Sequence, residues 1–182
     1  MGITPQEERM REYTACFTGH RQLNEAELPA LVMRLDRVLN ALYQAGYRRF
    51  MCGGARGFDL LAAEAVVRLK ERHSNVQLIC VIPHAYQANS MSPENLRRYQ
   101  LMVIHADRNV VLSPFYYKGC MQVRNRYMVD RSSFCLCLLE HVESGGTVST
   151  VVYATQQDVP VLNLMMPEAC DDFCRQHPIS EA

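Results

Sequence analysis

Two glycine-bearing turns hold the residues of this chain best suited to chemistry. The stretch Cys52-Gly53-Gly54-Ala55-Arg56-Gly57-Phe58-Asp59 follows directly on an apolar run, Phe50-Met51-Cys52. Glycine has no Cβ, so the backbone there can turn sharply and pass close to a ligand. A helical pattern begins at once with Leu60, Leu61, Ala63, Val66, Val67 and Leu69. The first amides of that helix, and the positive end of its dipole, therefore face the turn. A phosphate is the natural occupant of such a place. The same residues also read as a plain tight turn with Asp59 as the helix cap. Gly145-Gly146-Thr147, preceded by Glu140 to Ser144, repeats the arrangement ahead of another helix. Two such turns on one edge of a fold would bring two anion-binding helix ends together.

Alternating elements are expected to position these turns. Strand-like apolar runs fall at 13–17, 50–52, 76–82, 109–112, 134–139 and 159–164. Each is short and apolar throughout, as expected of strands covered on both faces. Helical periodicity fills the gaps, most clearly at Leu28, Leu31, Val32, Leu35, Val38, Leu39 and Leu42. Asn24 and Glu27 are spaced as a capping box for that helix, and Gly46 stops it. Ser92 caps a further helix with Pro93 at its first position, running to about His105. A last short helix spans 167–177. The expected fold is α/β, a Rossmann-like three-layer arrangement with a mainly parallel sheet of about six strands, in one domain over 1–182 with its core at 13–165. Ligands of such sheets sit at the carboxyl ends of the strands. That is where Thr18-Gly19-His20-Arg21, both glycine turns and the loop before Arg124-Asn125-Arg126 fall.

Composition narrows the function. Nineteen basic residues cancel nineteen acidic ones, so no overall charge draws the chain to a nucleic-acid backbone. No apolar run approaches the length of a membrane span. Met1 to Glu12 is polar and charged, unlike a signal peptide. Five of the eight cysteines (Cys16, Cys52, Cys80, Cys135, Cys137) lie in strand-like runs, so reduced thiols in a cytoplasm are expected. Cys170, Cys174 and His177 share a helical face and read as packing residues, with no metal expected. Phe115, Tyr116 and Tyr117 suit either base stacking or a subunit interface. His84 and His105, near loops, read as exposed or capping.

Together, Thr18-Gly19-His20-Arg21, the Gly-Gly-Ala-Arg-Gly-Phe-Asp run at 53–59, Arg124-Asn125-Arg126-Tyr127-Met128-Val129-Asp130 and the Gly-Gly-Thr-x-x-Thr-x-x-Tyr-Ala run at 145–154 resemble the YpsA branch of the SLOG superfamily. That superfamily includes the DNA-processing protein DprA and the LOG-type phosphoribohydrolases. The resemblance covers about 13–165 and implies a Rossmann-like fold with a site for a nucleotide or nucleotide derivative, with no further cofactor required. By position the site would use Gly53, Gly54, Arg56, Gly57 and Asp59, then Arg124 and Asn125, then Gly145, Gly146 and Thr147. Gly19, His20 and Arg21 would contact the ligand or a substrate. Arg124 would offer a charged fork to phosphate and Thr147 a hydroxyl donor. Asp59 would accept from a ribose hydroxyl or cap its helix.

Two departures from relatives shape the functional expectation. LOG-type hydrolases carry a glutamate one helical turn past their second glycine motif. Here Thr147 is followed by Val148, Ser149, Thr150 and Val151, so the carboxylate expected of a glycosidic hydrolase is missing there. DprA-like proteins bind single-stranded DNA through basic surface, for which this chain offers Arg97, Arg98, Arg108, Lys118, Arg124 and Arg126. The leading expectation is a nucleotide-binding or sensing protein that self-associates. A nucleotide-hydrolysing enzyme and a single-stranded-DNA-binding module are the alternatives.

Overall fold

The apolar runs become strands because helices cover both of their faces. In this computed structural model the described residues are 3–140 and 145–179. In chain order they form α1 (Pro5–Arg11), β1 (Thr14–Gly19), α2 (Leu28–Gln44), β2 (Arg49–Cys52), α3 (Phe58–Arg72), β3 (Gln77–Ile82), α4 (Pro93–His105), β4 (Arg108–Val111), α5 (Cys120–Asp130), β5 (Phe134–Leu138), α6 (Gly146–Gln156), β6 (Val161–Asn163) and α7 (Pro167–Gln176). The six strands form one sheet in the order β4-β3-β2-β1-β5-β6, and every pairing is parallel. This is the expected Rossmann-like three-layer architecture.

Side chains alternate across a strand, and the core divides accordingly. Phe17, Phe50, Leu78 and Leu136 point to the face packed by α2, α3 and α7. Cys16, Met51, Ile79 and Cys135 point to the other face, against Met128 and Val129 of α5 and Ala154 of α6. The cysteines behave as small apolar side chains, all of them unbridged. Burial pushes the Cys80 and Cys137 thiols up to about 12, which removes the thiolate that reactivity needs.

The helix starts depart from expectation in two places. Asn24 and Glu27 make no capping box: Asn24 Oδ1 accepts from the Ala26 amide at 3.1 Å, and α2 begins only at Leu28 with no side-chain cap. Pro29 is the reason. It lacks an N–H and its ring would strike the carbonyl four residues back, so it fits only the first turn of a helix. The second departure is α1, which the polar N-terminus did not announce. Thr4 and Glu7 form the capping box there, the Thr4 hydroxyl accepting from the Glu7 amide at 3.2 Å and the Glu7 carboxylate accepting from the Thr4 amide at 3.0 Å. Ser92 caps α4 as expected, accepting from the Asn95 amide at 3.3 Å.

Glu7 also receives Arg131 Nε at 3.2 Å. The Thr4 amide and then Arg131 hold its carboxyl down at about 2, against the opposing effect of burial. A depressed folded pKa contributes stability that is complete above the ordinary carboxylate pKa of about 4.3 and is lost as pH falls toward the folded value. Glu7→Gln should therefore be less stable than the native chain near neutrality in urea unfolding. The gap should close by about pH 2; a gap that stays constant with pH contradicts the assignment.

Candidate functional site

The sheet order places a switch point between β1 and β5. The chain leaves β1 for α2 on one face and β5 for α6 on the other, so a crevice opens beyond their carboxyl ends. A cavity of about 520 Å³ occupies it. The end of β1 supplies Thr18, Gly19, His20 and Arg21 to its wall, α5 supplies Arg124 and Asn125, and α6 supplies Gly146 and Thr147. His20 Nε2 accepts from the Glu140 amide at 2.9 Å, joining the loop after β1 to the chain leaving β5.

A buried ion pair forms one wall. Arg124 is only 4% exposed, and its Nη1 lies 3.4 Å from Asp59 Oδ2. The same oxygen accepts from the Ala55 amide at 3.2 Å. Burial pushes the Asp59 carboxyl up, while Arg124 and the Ala55 amide pull it back. Arg124 Nε is buried with no hydrogen-bond partner in the structure. The guanidinium reaches Asp59 by crossing over Gly53, where any Cβ would collide with Arg124 Nη1 and lie 2.8 Å from Asp59 Oδ2. Here the glycine serves close packing of a side chain.

The opposite wall is α6. Thr150 Oγ1 donates to the Gly146 carbonyl at 2.7 Å and accepts from Asn125 Nδ2 at 2.7 Å. This chain of bonds fixes Asn125 and locks α5 to the start of α6. Thr147 is 8% exposed and faces the cavity from the first turn. Three cationic side chains, Arg21, Lys118 and Arg124, line the space against one carboxylate, Asp59. The cavity therefore favours an anion.

Of the residues expected from sequence, Gly19, His20, Arg21, Asp59, Arg124, Asn125, Gly146 and Thr147 come together on this cavity. Gly53, Gly54 and Gly57 are buried and Gly145 is exposed, and none of the four lines it. Arg56 lines a neighbouring cavity of about 310 Å³, which shares Arg21, Ala55 and Met121 with the first. Asp59 does not cap its helix: the cap position is Gly57, and the carboxylate turns inward to Ala55 and Arg124. Nor is the start of α3 an open cradle of amides, since the Phe58 amide donates to the His20 carbonyl at 3.0 Å. Residues 141–144, the lead into the second glycine turn, lie outside the described residues.

Tyr116 and Lys118, from the loop between β4 and α5, line the cavity beside the expected residues. That loop was visible as an aromatic cluster with a lysine, but no spacing tied it to the site. His84 is buried rather than exposed, edge-on to Tyr116 with ring centres 5.4 Å apart. Gln87, which opens a short 3-10 helix (Gln87–Ser90) with no motif, donates to the carbonyls of Gly53 and Gly54 at 3.1 and 2.8 Å and so holds the first glycine turn. Of the basic residues expected from sequence, Lys118 and Arg124 share the cavity wall, Arg98 pairs with Glu64 at 2.5 Å, and Arg108 starts β4 at the opposite end of the sheet. Among the described residues no group of three His, Cys, Asp or Glu side chains is placed to hold a metal ion, and no helix is long and apolar enough to cross a membrane.

Sheet order, switch-point cavity and the paired loops after β1 and β5 define a Rossmann-like protein. The profile of the YpsA family, described as the YspA SLOG family, matches residues 13–162, and the chain belongs to that family. It is 30% identical over 136 residues to a UPF0398 protein of Halalkalibacterium halodurans, covering 74% of this chain and 72% of that one. It is 25% identical over 110 residues to the UPF0398 protein YpsA of Bacillus subtilis, covering 59% and 61%. Among solved structures, DNA processing protein A (DprA) of Streptococcus pneumoniae superposes with a TM-score of 0.61 at 17% identity. That match covers 92% of this chain, which spans only 56% of the DprA chain. DprA of Helicobacter pylori superposes with a TM-score of 0.60, also at 17% identity, covering 95% and 83%. These two likenesses speak to the fold.

Proposed function

We propose that the switch-point cavity binds a nucleotide or nucleotide derivative through its phosphate, and that the protein acts by binding it. The observation that carries this reading is Arg124, a buried arginine on the cavity wall whose Nε has no partner. A buried ion pair adds little net stability over apolar side chains of the same size, so an incomplete one at a cavity suits a ligand that completes it. The phosphate sits between Arg124 and the first turn of α6, where amides of Gly146 and Thr147 and the Thr147 hydroxyl supply donors. Arg21 and Lys118 add charge, and Tyr116 offers a ring face for the base.

A second reading, hydrolysis of an N-glycosidic bond, gains from Asp59. It brings to the cavity wall from α3 the carboxylate that is missing after Thr147. Release of free base from nucleoside monophosphates, lost in Asp59→Asn, would favour that reading.

Isothermal titration against nucleotides, ADP-ribose derivatives and a single-stranded oligonucleotide tests the proposal. The oligonucleotide belongs in the panel because DprA of Helicobacter pylori is described with a single-stranded DNA binding mode. At least one nucleotide should bind saturably. Arg124→Gln should weaken it by about 10- to 100-fold, the worth of a charge-assisted hydrogen bond, and Thr147→Val should weaken it less. No binding by any nucleotide, or binding indifferent to both changes, overturns the proposal.

A further inference from the structure

The geometry points to a second anion site, for a phosphate group, at the opposite end of the sheet between Arg49 and Arg108. Arg49 opens β2 and Arg108 opens β4, so both lie at the amino ends of their strands, away from the switch-point cavity. Their side chains line a polar cavity of about 280 Å³ together with Thr4, Gln6 and Glu7. Glu7 cannot serve both arginines, because its carboxylate is already engaged by the Thr4 amide and hydroxyl at 3.0 Å each, Arg131 Nε at 3.2 Å and the Tyr127 hydroxyl at 3.4 Å. Arg131 is further held over the Tyr127 ring at 3.7 Å. Among the described residues neither Arg49 nor Arg108 forms an ion pair, and Arg49 Nε is buried with no hydrogen-bond partner. Burial, and then the neighbouring Arg108, act against the Arg49 charge, and Glu7 and Tyr127 offset them only in part.

Two arginines that repel each other beside a polar cavity, one with an orphaned buried donor, form an arrangement that an oxyanion relieves. Arg49, Arg108 and Arg131 face the single carboxylate of Glu7. The excess of two positive charges matches a phosphate dianion better than a lone carboxylate. Guanidinium forks also fit phosphate oxygens geometrically. The site is independent of the nucleotide proposal, since no residue is shared between the two cavities.

The test is a phosphate titration of the full chain at constant ionic strength, followed by ¹H–¹⁵N NMR at the Arg49 and Arg108 amides and side-chain Nε–H signals. These signals should shift saturably with inorganic phosphate and not with chloride. Arg49→Gln should weaken that response about tenfold, and Arg108→Gln, at an exposed position, should do the same should the first variant fold poorly. Both should leave any response of Gly146 and Thr147 unchanged. A parallel titration with glycerol 3-phosphate separates the two sources of this chemistry: tighter binding of the ester marks a phosphorylated metabolite, tighter binding of phosphate marks the free ion. Signals that do not saturate, that follow chloride equally, or that move only at Gly146 and Thr147 overturn the site.

Discussion

Asp59→Ala is expected to destabilise the protein by about 3–5 kcal/mol, the loss seen when one partner of a buried ion pair is removed. Arg124 is 4% exposed, and Asp59 is its only ion-pair partner among the described residues. Removing the carboxylate strands a guanidinium in the interior and frees the Ala55 amide as well. Asp59→Asn keeps an acceptor for that amide and isolates the charge, so it should cost less than the alanine change. The double variant Asp59→Leu with Arg124→Met removes both charges and should regain most of the lost stability, to within about 1–2 kcal/mol of the native chain. Urea unfolding of these proteins, with Asp59→Leu and Arg124→Met also measured singly, tests this. A double variant as unstable as the two single losses added together would contradict the pairing. The same double variant should fold without binding nucleotide, which separates what the pair does for the cavity from what it does for the fold.

Gly57→Ala should cost about 3 kcal/mol or more, through backbone strain and collision together. Gly57 has φ +81° and ψ −124°, a conformation close to the preserve of glycine. A Cβ there would lie 2.5 Å from the His20 carbonyl oxygen and 2.6 Å from the Arg21 carbonyl carbon. Both are backbone atoms, so no side-chain rotation relieves the contact. The loop after β1 would have to move, and His20 and Arg21 with it. Gly46→Ala is the control: φ is +101° but nothing lies within 4 Å of a Cβ, so only the strain remains. Thermal unfolding should show a clearly larger loss for Gly57→Ala; equal losses would mean that contact with the β1 loop contributes nothing.

Much of the fold was legible in the sequence because each strand is a short apolar run bounded by turn residues. Gly46 and the Ser92-Pro93 pair marked helix ends by local chemistry, and the structure keeps both. The capping box at Asn24 failed because a proline five residues on outranked it. The genuine box at Thr4 and Glu7 lies in a charged terminus with no apolar periodicity beside it to mark a helix. The site was legible as a set of loops but not in its division of labour. From sequence, the glycines at 53, 54 and 57 look like a phosphate cradle. In space they let Arg124 cross the chain and the β1 loop press close, and they leave Asp59 on the cavity wall. Nothing in the spacing of 59 and 124 announces an ion pair between residues 65 positions apart. Lys118 and Gln87 take their places through tertiary contacts that no local pattern encodes.

The most direct test is a crystal structure of the protein with the nucleotide that titrates most tightly. A phosphate is expected within hydrogen-bonding distance of both the Arg124 guanidinium and the first-turn amides of α6 at Gly146 and Thr147. A nucleotide seated elsewhere, or phosphates turned away from Arg124, would contradict it.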